Sequence, residues 1–199
     1  MNITSAMVKE LREKTGAGIM DCKEALTASS GSIEEAVDYL RKQGLQAAAK
    51  RSARSTSDGV VSSYIHGGGR LGVLVEVNCE TDFVARTDEF QELVHDIAMH
   101  IAASNPQYVS HEEIPEDVIA KEREILTEQA KASGRPEHVI AKIVDGRIQK
   151  YFEEVCLLDQ SYVKDANLTI SDLLKEHIAK VGENITISRF ARFALGETS

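Results

Sequence analysis

The chain has 199 residues, 42% hydrophobic and 28% charged, and its 23 Lys and Arg against 32 Asp and Glu give a formal net charge of −9. This composition supplies both a packed core and a solvated surface, which excludes a disordered or collagen-like chain. The acidic balance argues against direct nucleic-acid binding, which needs a basic footprint, so the expected partner is a protein.

No stretch reaches the roughly 18 apolar residues of a membrane span. The start, Met-Asn-Ile-Thr-Ser-Ala, lacks a basic segment followed by an apolar run, so a cytoplasmic location without membrane contact is expected. Cys22, Cys79 and Cys156 are odd in number, widely spaced and outside any C-x-x-C pattern. They are expected as buried thiols rather than as a disulfide framework or a zinc site.

Charge divides the chain near residue 55. Nine basic and seven acidic residues precede that point, a balance of +2, whereas fourteen basic and 25 acidic residues follow it, a balance of −11. Such asymmetry marks a boundary. The first segment, 1–44, reads as a module of three short helices. Thr4 is placed to cap a helix carrying Met7, Val8 and Leu11, which Thr15-Gly16 ends. Ile19, Met20, Ala25 and Leu26 form the apolar face of a second helix that breaks at Ser29-Ser30-Gly31. Ser32 and Glu35 have capping-box spacing before Ile33, Ala36, Val37 and Leu40, and Gly44 is expected to stop that third helix. Residues 45–58, rich in Ala, Ser and basic side chains without an apolar stripe, are expected as a solvated linker.

From residue 59 to 199 an α+β core domain is expected, with a small antiparallel sheet and packed helices. Val60 to His66 and Leu71 to Asn78 flank Gly67-Gly68-Gly69 and predict a hairpin. A strong amphipathic helix carries Phe90, Leu93, Val94, Ile97, Ala98 and Ile101 on one face. Pro115 opens a helix over Glu116 to Ala132, and Gly134-Arg135-Pro136 turns the chain into another over Glu137 to Lys150. These two predict a projecting antiparallel helical hairpin over about 115–150, with Ile125 and Leu126 facing Val139, Ile140, Ile143 and Val144. Ile170, Leu173, Leu174, Ile178 and Val181 give a last helix, and Ile185 to Ala194 a closing strand.

Signals for covalent chemistry are weak. Gly67-Gly68-Gly69-Arg70-Leu71-Gly72 fits G-x-G-x-x-G, but here it joins two strands rather than a strand and a helix N-terminus, so it reads as a plain glycine turn. His66, His95, His100, His111, His138 and His177 show no metal-ligand spacing, and no phosphate loop or nucleophile motif is present. No catalytic residue, metal or cofactor is expected. Thr81-Asp82-Phe83-Val84 stands out because it lies as a loop tip between a buried strand and the strong helix. Asp82 could cap a local turn and Phe83 could pack into the core; alternatively, Phe83 anchors a partner, since rigid aromatics bury large area at little entropic cost.

Several segments together resemble bacterial translation elongation factor Ts, the nucleotide exchange factor for elongation factor Tu. They are Val8-Lys9-Glu10-Leu11-Arg12 with Thr15-Gly16-Ala17-Gly18-Ile19-Met20-Asp21-Cys22-Lys23, then Glu76-Val77-Asn78-Cys79-Glu80-Thr81-Asp82-Phe83-Val84-Ala85, then Ile97-Ala98-Met99-His100-Ile101-Ala102-Ala103-Ser104, and Gly182-Glu183-Asn184-Ile185. The resemblance implies that the N-terminal module is ubiquitin-associated-like. It also implies that Thr81, Asp82, Phe83 and Val84 enter the nucleotide domain of factor Tu, dislocating Mg²⁺ so that GDP is exchanged for GTP. Such a protein is an exchange factor without covalent chemistry. Arg12, Met20, Lys23, His66, Val181 and Gly182 match further family contact positions. The chain resembles the compact family form with one sheet subdomain, which implies a homodimer built through the sheet domain. The rival readings are an adaptor whose three-helix module binds a protein ligand and a small enzyme built on the glycine-rich hairpin.

Overall fold

The computed structural model describes residues 3–132 and 136–197. By contacts the chain forms two compact units. The first comprises the chain up to Gly59, Asn78–Phe90 and Leu174–Thr186; the second comprises Val60–Val77, Gln91–Leu173 and the chain from Ile187. The fold is α+β.

In the first unit, α1 (Ser5–Thr15), α2 (Ile19–Ala28) and α3 (Ile33–Arg51) begin and end where local chemistry dictates, with one exception. Thr4 accepts from the Met7 amide at 3.3 Å, and Ser32 from the Glu35 amide at 3.3 Å, so both caps predicted from the sequence form. Gly16 takes φ 68° and donates its amide to the Arg12 carbonyl, closing α1 in the left-handed conformation that glycine permits. Leu11, Cys22, Ala25, Leu26 and Ala36 are fully buried, with Met7, Val8, Ile33, Val37 and Leu40 packed around them.

The exception is Gly44, which does not stop α3. The helix continues to Arg51, so the expected linker at 45–58 is helical over its first half. The reason is steric. A Cβ at Gly44 would lie 3.1 Å from Ala179 Cβ on α8 (Ile170–Val181), so this glycine serves close helix approach, not termination.

In the second unit, β1 (Asp58–His66), β2 (Leu71–Cys79) and β5 (Ile185–Ala194) form a sheet with β2 central. The β1–β2 connection is too short for a parallel crossover, and the Leu195 amide donates to the Arg70 carbonyl at 2.8 Å, placing the end of β5 beside the start of β2. The sheet is antiparallel. Gly67, Gly68 and Gly69 have φ of 56°, 70° and 85°, with no atom near a built Cβ; they serve the turn's backbone alone.

Alternation sorts the sheet residues. Val73, Val75 and Val77 are buried, while Val61, Ile65 and Leu74 are exposed on the opposite face together with Phe193 and Leu195. The inward face is tied to α5 (Asp88–Ser104) by Tyr64, edge-on to His95 at 5.5 Å, and by Arg192, which donates to the Ala102 carbonyl at 3.3 Å.

A helical hairpin of α6 (Glu116–Lys131) and α7 (Glu137–Val155) also belongs to this unit. Leu126, Ala130, Val144 and Ile148 form its seam, with Ile140 and Ile143 against them. Ile125, expected in that seam, is exposed. The turn residues Gly134 and Arg135 lie outside the described residues. α7 continues past Lys150 because Tyr151, Phe152 and Val155 pack with Tyr108, Ile114 and Cys156.

A two-stranded ribbon of β3 (Ser161–Tyr162) and β4 (Asp165–Thr169) follows, in a stretch not expected to hold strands. It is pinned by Tyr162 and Lys164, which donate to the two oxygens of Asp96 at 2.5 and 2.6 Å. Burial raises the Asp96 pKa, but these two partners outweigh it and hold the carboxyl below its usual range. No helix among the described residues is long and apolar enough to cross a membrane.

Candidate functional site

The segment singled out by its sequence is not a loop tip. Thr81 has extended backbone and caps a single helical turn, α4 (Asp82–Ala85), accepting from the Val84 amide at a long 3.5 Å. The capping role considered for Asp82 falls instead to Thr81. Asp82 sits in the first turn, where its charge suits the helix N-terminus, and pairs with Arg86 at 2.8 Å.

Phe83 is 81% exposed, so the core-packing reading is excluded. Its neighbours hold it there. Cys79 and Ala85 are buried on either side of the turn, and Thr87 reinforces the exit by donating to the Val84 carbonyl at 2.8 Å and accepting from the Phe90 amide at 3.3 Å. An apolar ring held outward in this way exposes area that gains free energy only when something covers it.

The chain before β5 braces the same turn. Glu183 accepts from the Thr81 amide at 3.0 Å and from its hydroxyl at 2.7 Å. In return, Glu80 accepts from the Asn184 amide at 2.7 Å and pairs with Arg54 at 3.4 Å. Asn184, almost wholly buried, donates its side-chain amide to the carbonyls of Arg54 and Ser52 at 2.8 and 3.3 Å. Burial, and then the Glu183 charge, push the Cys79 thiol up, while the thiol donates to the Thr81 carbonyl at 3.2 Å. All three cysteines are buried free thiols, as their sequence pattern predicts.

Glu80, Glu183, Asn184 and Arg54 were not singled out by sequence reasoning as functional. Glu80, Glu183 and Asn184 do lie in segments that carry the resemblance, and Glu80 and Asn184 adjoin the strand ends at Cys79 and Ile185, where buried backbone has to be satisfied.

The remaining candidates fall into three groups. Val181 ends α8, and Gly182 follows it at φ 81°, one residue before Glu183, so both adjoin the brace on Thr81. Arg12 and Lys23 are exposed and line one shallow groove with Val8 and Ile19. Met20 is 73% exposed on the same helix as Ile19, a second solvent-facing apolar side chain. Every one of these residues and Thr81–Val84 belong to the first compact unit, whereas His66 lies in the second. There His66 stacks on Tyr64 with ring centroids 5.9 Å apart, and its Nδ1 lies 2.9 Å from the Tyr64 hydroxyl. No grouping of three or more His, Cys, Asp and Glu side chains suited to a metal ion occurs among the described residues.

Comparison with known proteins follows the same lines. The family model described as Elongation factor TS matches residues 1–197. Elongation factor Ts of Syntrophomonas wolfei is 60% identical over 195 residues, covering 98% of this chain and 91% of the relative. That of Syntrophus aciditrophicus is 58% identical over 197 residues, covering 99% and 98%, and that of Geobacter sulfurreducens is 56% identical over 197 residues, covering 99% and 91%.

Proposed function

The chain belongs to the elongation factor Ts family, and on that premise we propose that it is a guanine nucleotide exchange factor for elongation factor Tu in the bacterial cytoplasm. It binds factor Tu carrying GDP, with Thr81, Asp82, Phe83 and Val84 entering the nucleotide-binding domain as a wedge. Mg²⁺ in such a domain is held by few protein ligands together with phosphate oxygens, so a small displacement of those ligands removes much of the nucleotide's affinity. The wedge needs only to bind the distorted state better than the GDP-bound one. By linkage, this protein and GDP then weaken each other by the same factor, and excess GTP refills the emptied site. No bond is made or broken, so the function asks for no acid, base or cofactor of this chain.

The observation that carries the reading is Phe83, held outward at 81% exposure on a turn braced from both sides. Arg12, Met20, Lys23, Val181 and Gly182 serve as accompanying contacts on the same unit, and His66 as a contact from the other. The compact chain acts as a homodimer joined through the outer sheet face of Val61, Ile65, Leu74, Phe193 and Leu195, an apolar patch on an otherwise acidic molecule.

The test is stopped-flow release of a fluorescent GDP analogue from factor Tu. An exchange factor accelerates release in proportion to its concentration until saturation. An adaptor binds factor Tu and leaves the release rate unchanged.

A further inference from the structure

Glu183 is held to a single task. Both of its carboxylate oxygens are taken by one residue, Thr81, through the backbone amide at 3.0 Å and the hydroxyl at 2.7 Å. The two bonds fix different things. The amide bond sets the peptide plane that enters α4, and the hydroxyl bond sets the rotor of the capping side chain. Because the hydroxyl hydrogen points to Glu183, its lone pairs remain for the Val84 amide, and that contact is the cap of the helical turn carrying Phe83.

α4 spans four residues, far below the length at which a helix persists by itself, so its geometry depends on what holds its first residue. The holding bonds are charge-assisted, about twice as strong as neutral ones. The backbone beside Glu183 is itself anchored, since the next residue, Asn184, is buried and bonded to Glu80 and to the Ser52 and Arg54 carbonyls.

We infer that Glu183 is the positioning residue for the Phe83 turn, keeping it in the insertion-ready conformation before any partner arrives. This rests on the reading of Thr81–Val84 as the wedge. Pre-organisation has a kinetic signature different from contact. If only a fraction of molecules holds the turn correctly, apparent affinity falls by that fraction, whereas the fully bound complex is unchanged. Removing Glu183 therefore weakens encounter, whereas removing Phe83 weakens the bound state that expels GDP.

The experiment measures GDP-analogue release from factor Tu against concentration of the full-length protein, with amide hydrogen exchange of the free protein over residues 81–86 alongside it. Glu183→Ala raises the half-saturating concentration about tenfold, keeps the plateau rate within about twofold, and speeds exchange of the 81–86 amides. Thr81→Ser, which keeps both donors to Glu183, leaves amide exchange over residues 81–86 of the free protein as in the wild type. If Glu183→Ala does not fold, Glu183→Gln carries the test, since it keeps one acceptor for Thr81 and shifts the half-saturating concentration less but in the same direction. An unchanged half-saturating concentration, a lost plateau, or unaltered amide exchange in the variant overturns the inference. A wild-type protein that does not accelerate release overturns the function instead, and amide exchange still decides whether Glu183 holds the turn.

Discussion

Phe83 and His100 are opposite extremes of what a single side chain contributes. Phe83 touches little of its own protein, so its truncation removes binding area without opening a cavity, and stability stays within about 0.5 kcal/mol. His100 is fully buried, and its ring is bonded on both sides. Nδ1 accepts from the Val163 amide at 3.3 Å, so Nε2 carries the hydrogen and donates to Gln160 Oε1 at 3.0 Å, while the Gln160 amide donates to the Glu154 carbonyl at 2.7 Å. Burial lowers the His100 pKa, and the Gln160 bond opposes this only in part. Above about pH 6.5 the ring is neutral both folded and unfolded. Below that, the unfolded chain takes up a proton that the folded one refuses, so stability falls with pH until the folded pKa is passed. Urea unfolding midpoints should drop between about pH 7.5 and pH 5.5, and the drop should shrink in His100→Gln. An equal drop in the variant would assign the pH dependence to other groups.

At the scale of elements, glycines inside helices separate two roles that composition alone confuses. Gly146 lies within α7 where an added methyl group would meet open space, whereas at Gly44 within α3 it would lie 3.1 Å from Ala179. Gly146→Ala should therefore gain the helix propensity difference, about 0.5–1 kcal/mol, or about 1–4 °C in Tm, by calorimetry. Gly44→Ala should fall short of that gain because Ala179 must give way; equal gains would show that the α3–α8 approach is loose.

The same comparison explains what could be read in advance. Caps at Thr4, Ser32 and Gly16 were legible because they depend on residues within one turn. So were α8, whose apolar residues keep one helical face, and β5, which is rich in β-branched and aromatic residues. The end of α3 was not, since a residue more than a hundred positions away decides the role of Gly44. The ribbon of β3 and β4 depends on Asp96, and α4 depends on Glu183, so neither carries enough local pattern to be seen. The site divided in the same way. Thr81–Val84 stood out as a motif, but its one-turn helix and its brace came from tertiary hydrogen bonds.

On the scale of the whole molecule, the exposed sheet face departs from what an isolated acidic protein would present. Val61, Ile65, Leu74, Phe193 and Leu195 face solvent, and Glu76 of the central strand pairs with Arg189 of β5 at 2.8 Å. Covering the apolar residues with a second copy removes them from water, and like faces suit a two-fold interface. Sedimentation at micromolar concentration should give a dimer mass, and Leu74→Lys, placing a charge in the patch, should give a monomer that keeps its circular dichroism. A monomer in the wild type, or a dimer in the variant, would remove the sheet face from the assembly.

The proposed exchange activity rests on an outward-held phenylalanine emptying the nucleotide site of factor Tu. It is tested most directly by stopped-flow release of a fluorescent GDP analogue from factor Tu, comparing wild type with Phe83→Ala at saturating concentration. The wild type should accelerate release strongly, and the variant, with unaltered Tm and circular dichroism, should lose at least about tenfold of that acceleration, corresponding to about 1.4 kcal/mol of transition-state stabilisation. A variant that releases GDP as fast as the wild type would contradict the account.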